Sequence, residues 1–262
     1  MTDISAKLST RQFQILERVQ AEGYGAIDAF AAEFAVSTQT IRRDVNALCE
    51  TGELRRVRGG VEPMPASQNQ LYASRQILNA GAKRLIAEGV RPQIADGATL
   101  AISIGTTPAI VARSLGDLED LTILTNNLNI AMWACERPGW SVRVPGGPLR
   151  AGDRDILGPE ALSFFNRYQV DVGLFGVGGV ASDGTLLDFT EDEVGARMAI
   201  LRNSRRSFLV LDHSKFGRVA HVRGGHIGDV SDIFCDRALP VEIAQIVAPG
   251  ESRFTLCAQA DQ

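Results

Sequence analysis

Three short runs combine glycine, hydroxyl and amide groups as a phosphate or polyol ligand requires: Gly105-Thr106-Thr107-Pro108, Thr125-Asn126-Asn127 and Gly146-Gly147. Glycine lets a ligand approach the backbone, hydroxyls donate, amides donate and accept, and Pro108 suits the first position of a helix. A fourth run, Asp212-His213-Ser214-Lys215-Phe216-Gly217, brings in Lys215 as a cation to meet an anionic ligand. Glu193 either accepts hydroxyl hydrogen bonds or complements a helix dipole. Singly, each run also reads as an ordinary capped turn or a solvated loop; the coincidence is the stronger signal.

Other chemistries find little support. Gly176-Val-Gly178-Gly-Val-Ala181 fits the loose dinucleotide pattern, but Ser-Asp-Gly-Thr follows it where a helix should start, so a pyrophosphate has no seat. His213, His221 and His226 match no common zinc spacing, and the four cysteines (Cys49, Cys135, Cys235, Cys257) form no Cys-x-x-Cys pair. We expect no metal and no cofactor, and cysteines that are reduced and mostly buried. There is no P-loop and no G-x-S-x-G elbow, and no catalytic residue is assigned.

The N-terminal part carries a different constellation. Ile41, Val45 and Leu48 repeat at helical spacing after Ser37, which reads as an N-cap. At 100° per residue, Gln39, Arg42, Arg43 and Asn46 then lie roughly 100 to 200° from the apolar centre. Amides and guanidinia are the groups that read base edges, and five arginines between residues 42 and 60 face only Asp44, Glu50 and Glu53. This local positive surface survives in a chain with 27 basic and 31 acidic side chains and a net charge of -4.

The elements that must position these residues follow from periodicity. Ser9 with Gln12 forms a capping box, Phe13, Leu16 and Val19 follow at helical spacing, and Gly23 stops this first helix. A short helix over 28–34 and the Ser37 helix complete a three-helix unit, which Gly52 ends. Leu54-Arg55-Arg56-Val57-Arg58 before Gly59-Gly60 reads as a strand entering a tight turn, hence a winged helix-turn-helix over residues 1–62. Two prolines and polar residues mark a linker at 63–70. From Leu71 the chain is helical with interruptions at Gly89 and Pro92.

Strands at 100–104, 121–124, 141–144, 170–175, 207–211 and 233–235 then alternate with helices at 108–115, 128–135, 159–168, 191–203 and 241–247. This alternation predicts a doubly wound, mostly parallel α/β sheet over 71–262, with ligands beyond the carboxyl ends of the strands. The length, 262 residues with 45% hydrophobic content, suits two globular domains. The polar start, Met1 to Gln12, and the lack of an apolar span predict a soluble cytoplasmic protein.

The run Val36-Ser-Thr-Gln-Thr-Ile-Arg-Arg-Asp-Val45 with Gly52-Glu-Leu-Arg-Arg-Val-Arg-Gly-Gly60 resembles the signature of the DeoR family of bacterial transcriptional regulators. The sheet-edge motifs fall in the family's order, so the resemblance covers about residues 10 to 257. It implies double-stranded operator DNA as partner, contacted by Ser37, Thr38, Gln39, Thr40, Arg42, Arg43, Asn46, Arg55, Arg56, Arg58, Gly59 and Gly60. It also implies a sensor of the sugar-phosphate isomerase type, working in a homo-oligomer taken as a tetramer. Carried over by position, Gly105, Thr106, Thr107, Asn126, Asn127, Gly147, Glu193 and Lys215 line its effector site.

Leu186-Leu-Asp-Phe189 with Glu193-Val194, and the Asp212-to-Lys215 loop, are most similar to the branch that represses glycerol and glycerol-3-phosphate catabolism. That implies a repressor released by glycerol 3-phosphate. The alternatives are a repressor answering another sugar phosphate, or a phosphosugar isomerase-like enzyme with Glu193 or Asp212 as base. Three features depart from the family: Ser103 where an acid is common, Arg58 where the wing turn often has His, and Ala26 and Ile27 where Ser or Thr usually caps the second helix.

Overall fold

The computed structural model describes residues 8–50, 54–63 and 72–258, and forms two compact units, Met1–Leu78 and Asn79–Gln262. Most of the expected linker and Gly52 lie outside the described residues, and Pro63 closes a strand.

In the first unit the elements are α1 (Thr10–Glu22), β1 (Gly25–Ala26), α2 (Ile27–Glu33), α3 (Thr38–Glu50), β2 (Leu54–Val57), β3 (Gly60–Pro63) and α4 (Tyr72–Ile77). Ser9 and Gln12 exchange the two bonds of a capping box, and Gly23 closes α1 in the left-handed conformation at φ 77°. Helix α2 has Ala26 at its N-cap position and no side-chain cap, Asp28 lying in its first turn. The β2–β3 hairpin, joined by β1 on its other side, forms the wing. Ile15, Leu16, Val19, Phe30, Ile41, Val45, Leu48, Leu54 and Val61 make one core.

The second unit runs α5 (Ala80–Val90), β4 (Thr99–Ile102), α6 (Thr106–Ser114), β5 (Thr122–Thr125), α7 (Leu128–Ala134) and β6 (Ser141–Arg143). It continues through β7 (Leu149–Arg150), β8 (Asp155–Ile156), α8 (Pro159–Phe165), β9 (Val170–Phe175), β10 (Gly179–Val180) and β11 (Thr185–Asp188). Last come α9 (Glu191–Arg202), β12 (Ser204–Val210), β13 (Val222–His226), β14 (Asp232–Cys235), α10 (Val241–Val247) and β15 (Arg253–Leu256). Seven strands form a parallel sheet in the order β6-β5-β4-β9-β12-β14-β15.

Side chains alternate across this sheet. Leu100, Ile102, Ile123, Phe208, Val210 and Phe234 pack on one face with α5, α6 and α7. Ala101, Leu124, Leu209, Leu211, Ile233 and Cys235 pack on the other with α8, α9 and α10. The winding reverses between β4 and β9, and sheets of this kind bind ligands at the carboxyl ends of the strands where that reversal falls.

Four features differ from the sequence reading. The helix over 80–90 runs through Gly89, and the break falls at Asn79, in the left-handed conformation at φ 53°. Gly89 is needed for packing: a Cβ there would lie 2.5 Å from Cys257 Sγ. Pro92 sits in a 3-10 turn, Arg91–Gln93. Helix α6 begins at Thr106, so Pro108 is its third residue. Among the strands, β1, β15 and two small antiparallel sheets, β10-β11-β13 and β7-β8, were not foreseen.

The cysteines divide differently from expectation. Cys235 and Cys257 are buried, Cys49 is half-buried and Cys135 is exposed. Burial, with the neighbouring Asp236 carboxylate, pushes the Cys235 thiol up to about 12 and the Cys257 thiol up to about 11. Among the described residues no helix is long and apolar enough to cross a membrane.

Candidate nucleic-acid interface and effector site

In the first unit the Ser37 hydroxyl accepts the Thr40 N–H at 3.1 Å and starts α3. One face of α3 buries Ile41, Val45 and Leu48. Asp44 is buried as well, where Arg11 Nε donates to its carboxylate at 2.6 Å and ties α3 to α1. The opposite face leaves Thr38, Gln39, Arg42, Arg43 and Asn46 exposed, with Ser37 exposed beside them and Thr40 half-buried.

The wing arginines are not alike. Arg55 Nη2 donates to Glu62 across the hairpin at 2.6 Å, and Arg56 Nη2 donates to Asn46 Oδ1 on α3. Arg42, Arg43 and Arg58 are exposed and make no hydrogen bond or ion pair among the described residues. Gly59 is exposed with φ 83°, which the turn requires, whereas Gly60 is buried. A Cβ on Gly60 would run into the Gly25 carbonyl and lie 2.8 Å from Tyr24 Oη. Tyr24, 43% exposed, thereby braces the wing turn, a contact that no local pattern signals.

In the second unit the predicted motifs fall at the carboxyl edge of the parallel sheet. Gly105, at φ 118° and ψ 162°, leads from β4 into α6, whose start has no side-chain cap. Thr106 and Thr107 are buried there. The first N–H groups of α6 therefore have no side-chain acceptor among the described residues, an arrangement suited to an anion. At the end of β5, Asn127 Oδ1 caps α7 by accepting the Asn129 N–H at 3.0 Å, and its Nδ2 reaches the Gly105 carbonyl at 3.5 Å. Asn126 is fully buried; its Nδ2 donates to the Ile156 carbonyl at 2.9 Å, and its Oδ1 has no partner among the described residues.

The hairpin β7-β8 connects this edge to Glu193. Arg150 holds Asp155 through two bonds, at 2.8 and 2.7 Å, and donates to Glu193 Oε1 at 3.0 Å. Glu193 Oε2 accepts the Phe189 and Thr190 N–H groups at 3.0 and 3.2 Å, within a capping box for α9. Gly147, at φ 122°, lies against Ile156 and Glu160, where a Cβ would be 3.3 Å from each.

Beyond β12, Asp212 Oδ1 accepts from the Ser214 N–H at 3.1 Å, from the Ser214 hydroxyl, and from Asn79 Nδ2 at 2.8 Å. Burial alone would raise this carboxyl. The charges of Lys215 and Lys83 and the Ser214 bonds outweigh it, and the group lies below the usual carboxylate range. Lys215 also acts on Asp188, whose oxygens accept Gly178 N–H at 2.9 Å and Arg197 Nε at 2.8 Å. The Gly176-Gly178 segment passes into the β10-β11 hairpin.

Sequence reasoning missed Arg150, Asp155, Lys83, Asn79 and the Asp188–Arg197 pair. The i, i+4 spacing of Glu193 and Arg197 was the one available signal, and it points to the wrong partner. The histidines are dispersed: His213 binds Asp236 through its backbone and ring nitrogens, and His226 caps a 3-10 turn. Glu193 and Asp212, the bases of the enzyme alternative, are both held by protein donors.

Both units match known protein families. Residues 11–64 match the DeoR-like helix-turn-helix domain, and residues 78–237 match the DeoR C terminal sensor domain. The chain is 39% identical over 251 residues to the glycerol-3-phosphate regulon repressor of Escherichia coli, covering 96% of this chain and 100% of that protein. It is 37% identical to the repressor of the same name from Haemophilus influenzae, covering 96% and 98%. The HTH-type transcriptional repressor CsqR of Escherichia coli is 36% identical over 89% of each. A ribose-5-phosphate isomerase structure with bound phospho-erythronic acid shows a TM-score of only 0.39 at 14% identity, over 52% of this chain and 54% of the other.

Proposed function

The chain belongs to the DeoR family of transcriptional regulators, and on that premise we propose that it represses glycerol and glycerol-3-phosphate catabolism genes until glycerol 3-phosphate releases it from its operator. The observation that carries the effector half is the uncapped start of α6 beside the reversal of the sheet, with Thr106 and Thr107 buried at its mouth. The phosphate takes the free N–H groups there, and Lys215 supplies a compensating charge. Asn126, Asn127 and the Gly147 loop bound the glycerol hydroxyls. Glu193 acts through Arg150, by holding the β7-β8 hairpin.

Operator contacts come from Ser37, Thr38, Gln39, Thr40, Arg42 and Arg43 on and before α3, and from Arg58 and Gly59 on the wing. The protein works in the cytoplasm as a homo-oligomer, a tetramer. By linkage, effector binding lowers operator affinity by the same factor that operator binding lowers effector affinity.

A thermal melt of the purified chain against glycerol 3-phosphate, glycerol, inorganic phosphate, fructose 1-phosphate, fructose 6-phosphate and ribose 5-phosphate tests the effector. A ligand at 100 times its dissociation constant stabilises by about 2.7 kcal/mol, a shift of a few degrees. A shift confined to glycerol 3-phosphate is the expected result. A shift with a sugar phosphate alone moves the effector to another compound, and no shift removes the sheet-edge assignment.

A further inference from the structure

Strand β2 alternates, so side chains two residues apart share a face. Leu54 is buried in the core of the first unit, and Arg56 follows it on the same side, over α3. There its guanidinium donates to Asn46 Oδ1. Cys49, three residues further along α3, senses the same charge: burial raises its thiol, and Arg56 pulls it partly back. The positive group thus rests on the C-terminal half of α3, where the helix dipole favours a cation. Arg55 stands on the other face, in register with Glu62, to which it is paired. Arg58, at the turn, is exposed and unpaired among the described residues.

We infer that Arg56 is a positioning residue that fastens the wing to the recognition helix through Asn46, that Asn46 so held reads no base, and that Arg58 supplies the wing's phosphate contact. A planar guanidinium bound to an amide on a rigid helix limits the angle between hairpin and helix. That angle decides whether Arg58 and the Arg42–Arg43 pair reach the duplex together.

The inference rests on operator binding, and the test separates the two. The full chain selects its tightest duplex from a random-sequence pool, and affinity is then measured against salt for wild type, Arg58→Ala, Arg56→Ala, Arg56→Lys, Asn46→Ala and the Arg56→Ala/Asn46→Ala double variant. Each lost phosphate contact lowers the slope of log affinity against log salt by about 0.9. Arg58→Ala is expected to lose that much per bound subunit. Arg56→Ala is expected to weaken binding about five-fold, in keeping with one lost hydrogen bond, with less than half that change in slope.

Asn46→Ala should match Arg56→Ala and select the same duplex, and the double variant should be no weaker than either single one. Arg56→Lys, which keeps the charge and loses the fork, should behave like Arg56→Ala. A slope loss equal to that of Arg58→Ala, multiplying losses in the double variant, or relaxed sequence preference in Asn46→Ala overturns the inference. If Arg56→Ala fails to fold, Arg56→Lys and Asn46→Ala carry the same comparison. A wild type that selects no duplex overturns operator binding itself, and this inference with it.

Discussion

Glu193 and Arg150 lie 3.0 Å apart, carboxylate to guanidinium, and the other Glu193 oxygen accepts two backbone N–H groups at the start of α9. Glu193 therefore links the β7-β8 hairpin to the helix that packs behind the sheet. Glu193→Ala leaves two N–H groups without an acceptor and weakens the hold on Arg150, which should cost about 2 to 4 kcal/mol. Glu193→Gln keeps one acceptor and should cost less than half as much. Denaturant unfolding of the two variants measures the difference; equal stability of Glu193→Ala and wild type would make the carboxylate a ligand group alone.

Arg197 is the largest fully buried side chain among the described residues, and it holds Asp188 at 2.8 Å and the Gly224 carbonyl at 2.7 Å. Asp188→Ala strands a buried guanidinium and frees the Gly178 N–H. It should destabilise by about 3 to 5 kcal/mol, more than loss of any exposed pair. A urea titration reads this directly, and a loss below about 1 kcal/mol would rule out the pair as a structural link.

The Asp212 carboxyl makes stability depend on pH. Its folded carboxyl lies below the unfolded value, so the folded state releases the proton more readily. Its contribution to stability is complete above the unfolded pKa of about 3.9 and is lost as pH falls through the folded value. Asp212→Asn should be less stable than wild type at pH 7, and the gap should narrow as the pH drops below about 4. Chemical unfolding across pH 7 to 3 tests this; a gap that widens in acid would contradict the depressed carboxyl.

The two units should fail separately. Arg43→Ala should weaken operator binding roughly 5- to 150-fold while the thermal shift with glycerol 3-phosphate persists. Lys215→Ala should leave operator affinity near wild type and raise the glycerol 3-phosphate needed for release by about ten-fold or more. Mobility shift at fixed salt with an inducer titration gives both numbers. Loss of operator binding in Lys215→Ala would assign the lysine to folding instead.

Gly60→Ala should disrupt the wing, because its Cβ meets the Gly25 carbonyl, a backbone atom that cannot swing aside. Operator binding should fall at least ten-fold with the effector-induced melting shift retained. Gly59 differs, since its obstacle is φ 83° and the nearest atom to a Cβ is Tyr24 Oη at 3.7 Å. Gly59→Asn, which tolerates positive φ, should bind nearly as well as wild type.

Local chemistry carried much of this protein into its sequence. The Ser9–Gln12 box, the Ser37 cap, the apolar spacing of Ile41, Val45 and Leu48, and the alternation of short strands with helices are written within a few residues of one another. So are the sheet-edge motifs, because a β-to-α turn must bring its own glycines and hydroxyls. Strand order, the reversal of winding between β4 and β9, and the bonds Arg150–Glu193, Arg197–Gly224 and Asn79–Asp212 were decided by tertiary structure, since they join residues remote in sequence. Arg56 shows the division most plainly: composition counts it among five arginines suited to phosphate, and the face of β2 on which it falls turns it onto Asn46. A charge is legible in one dimension, whereas its direction depends on which side of the strand the core occupies.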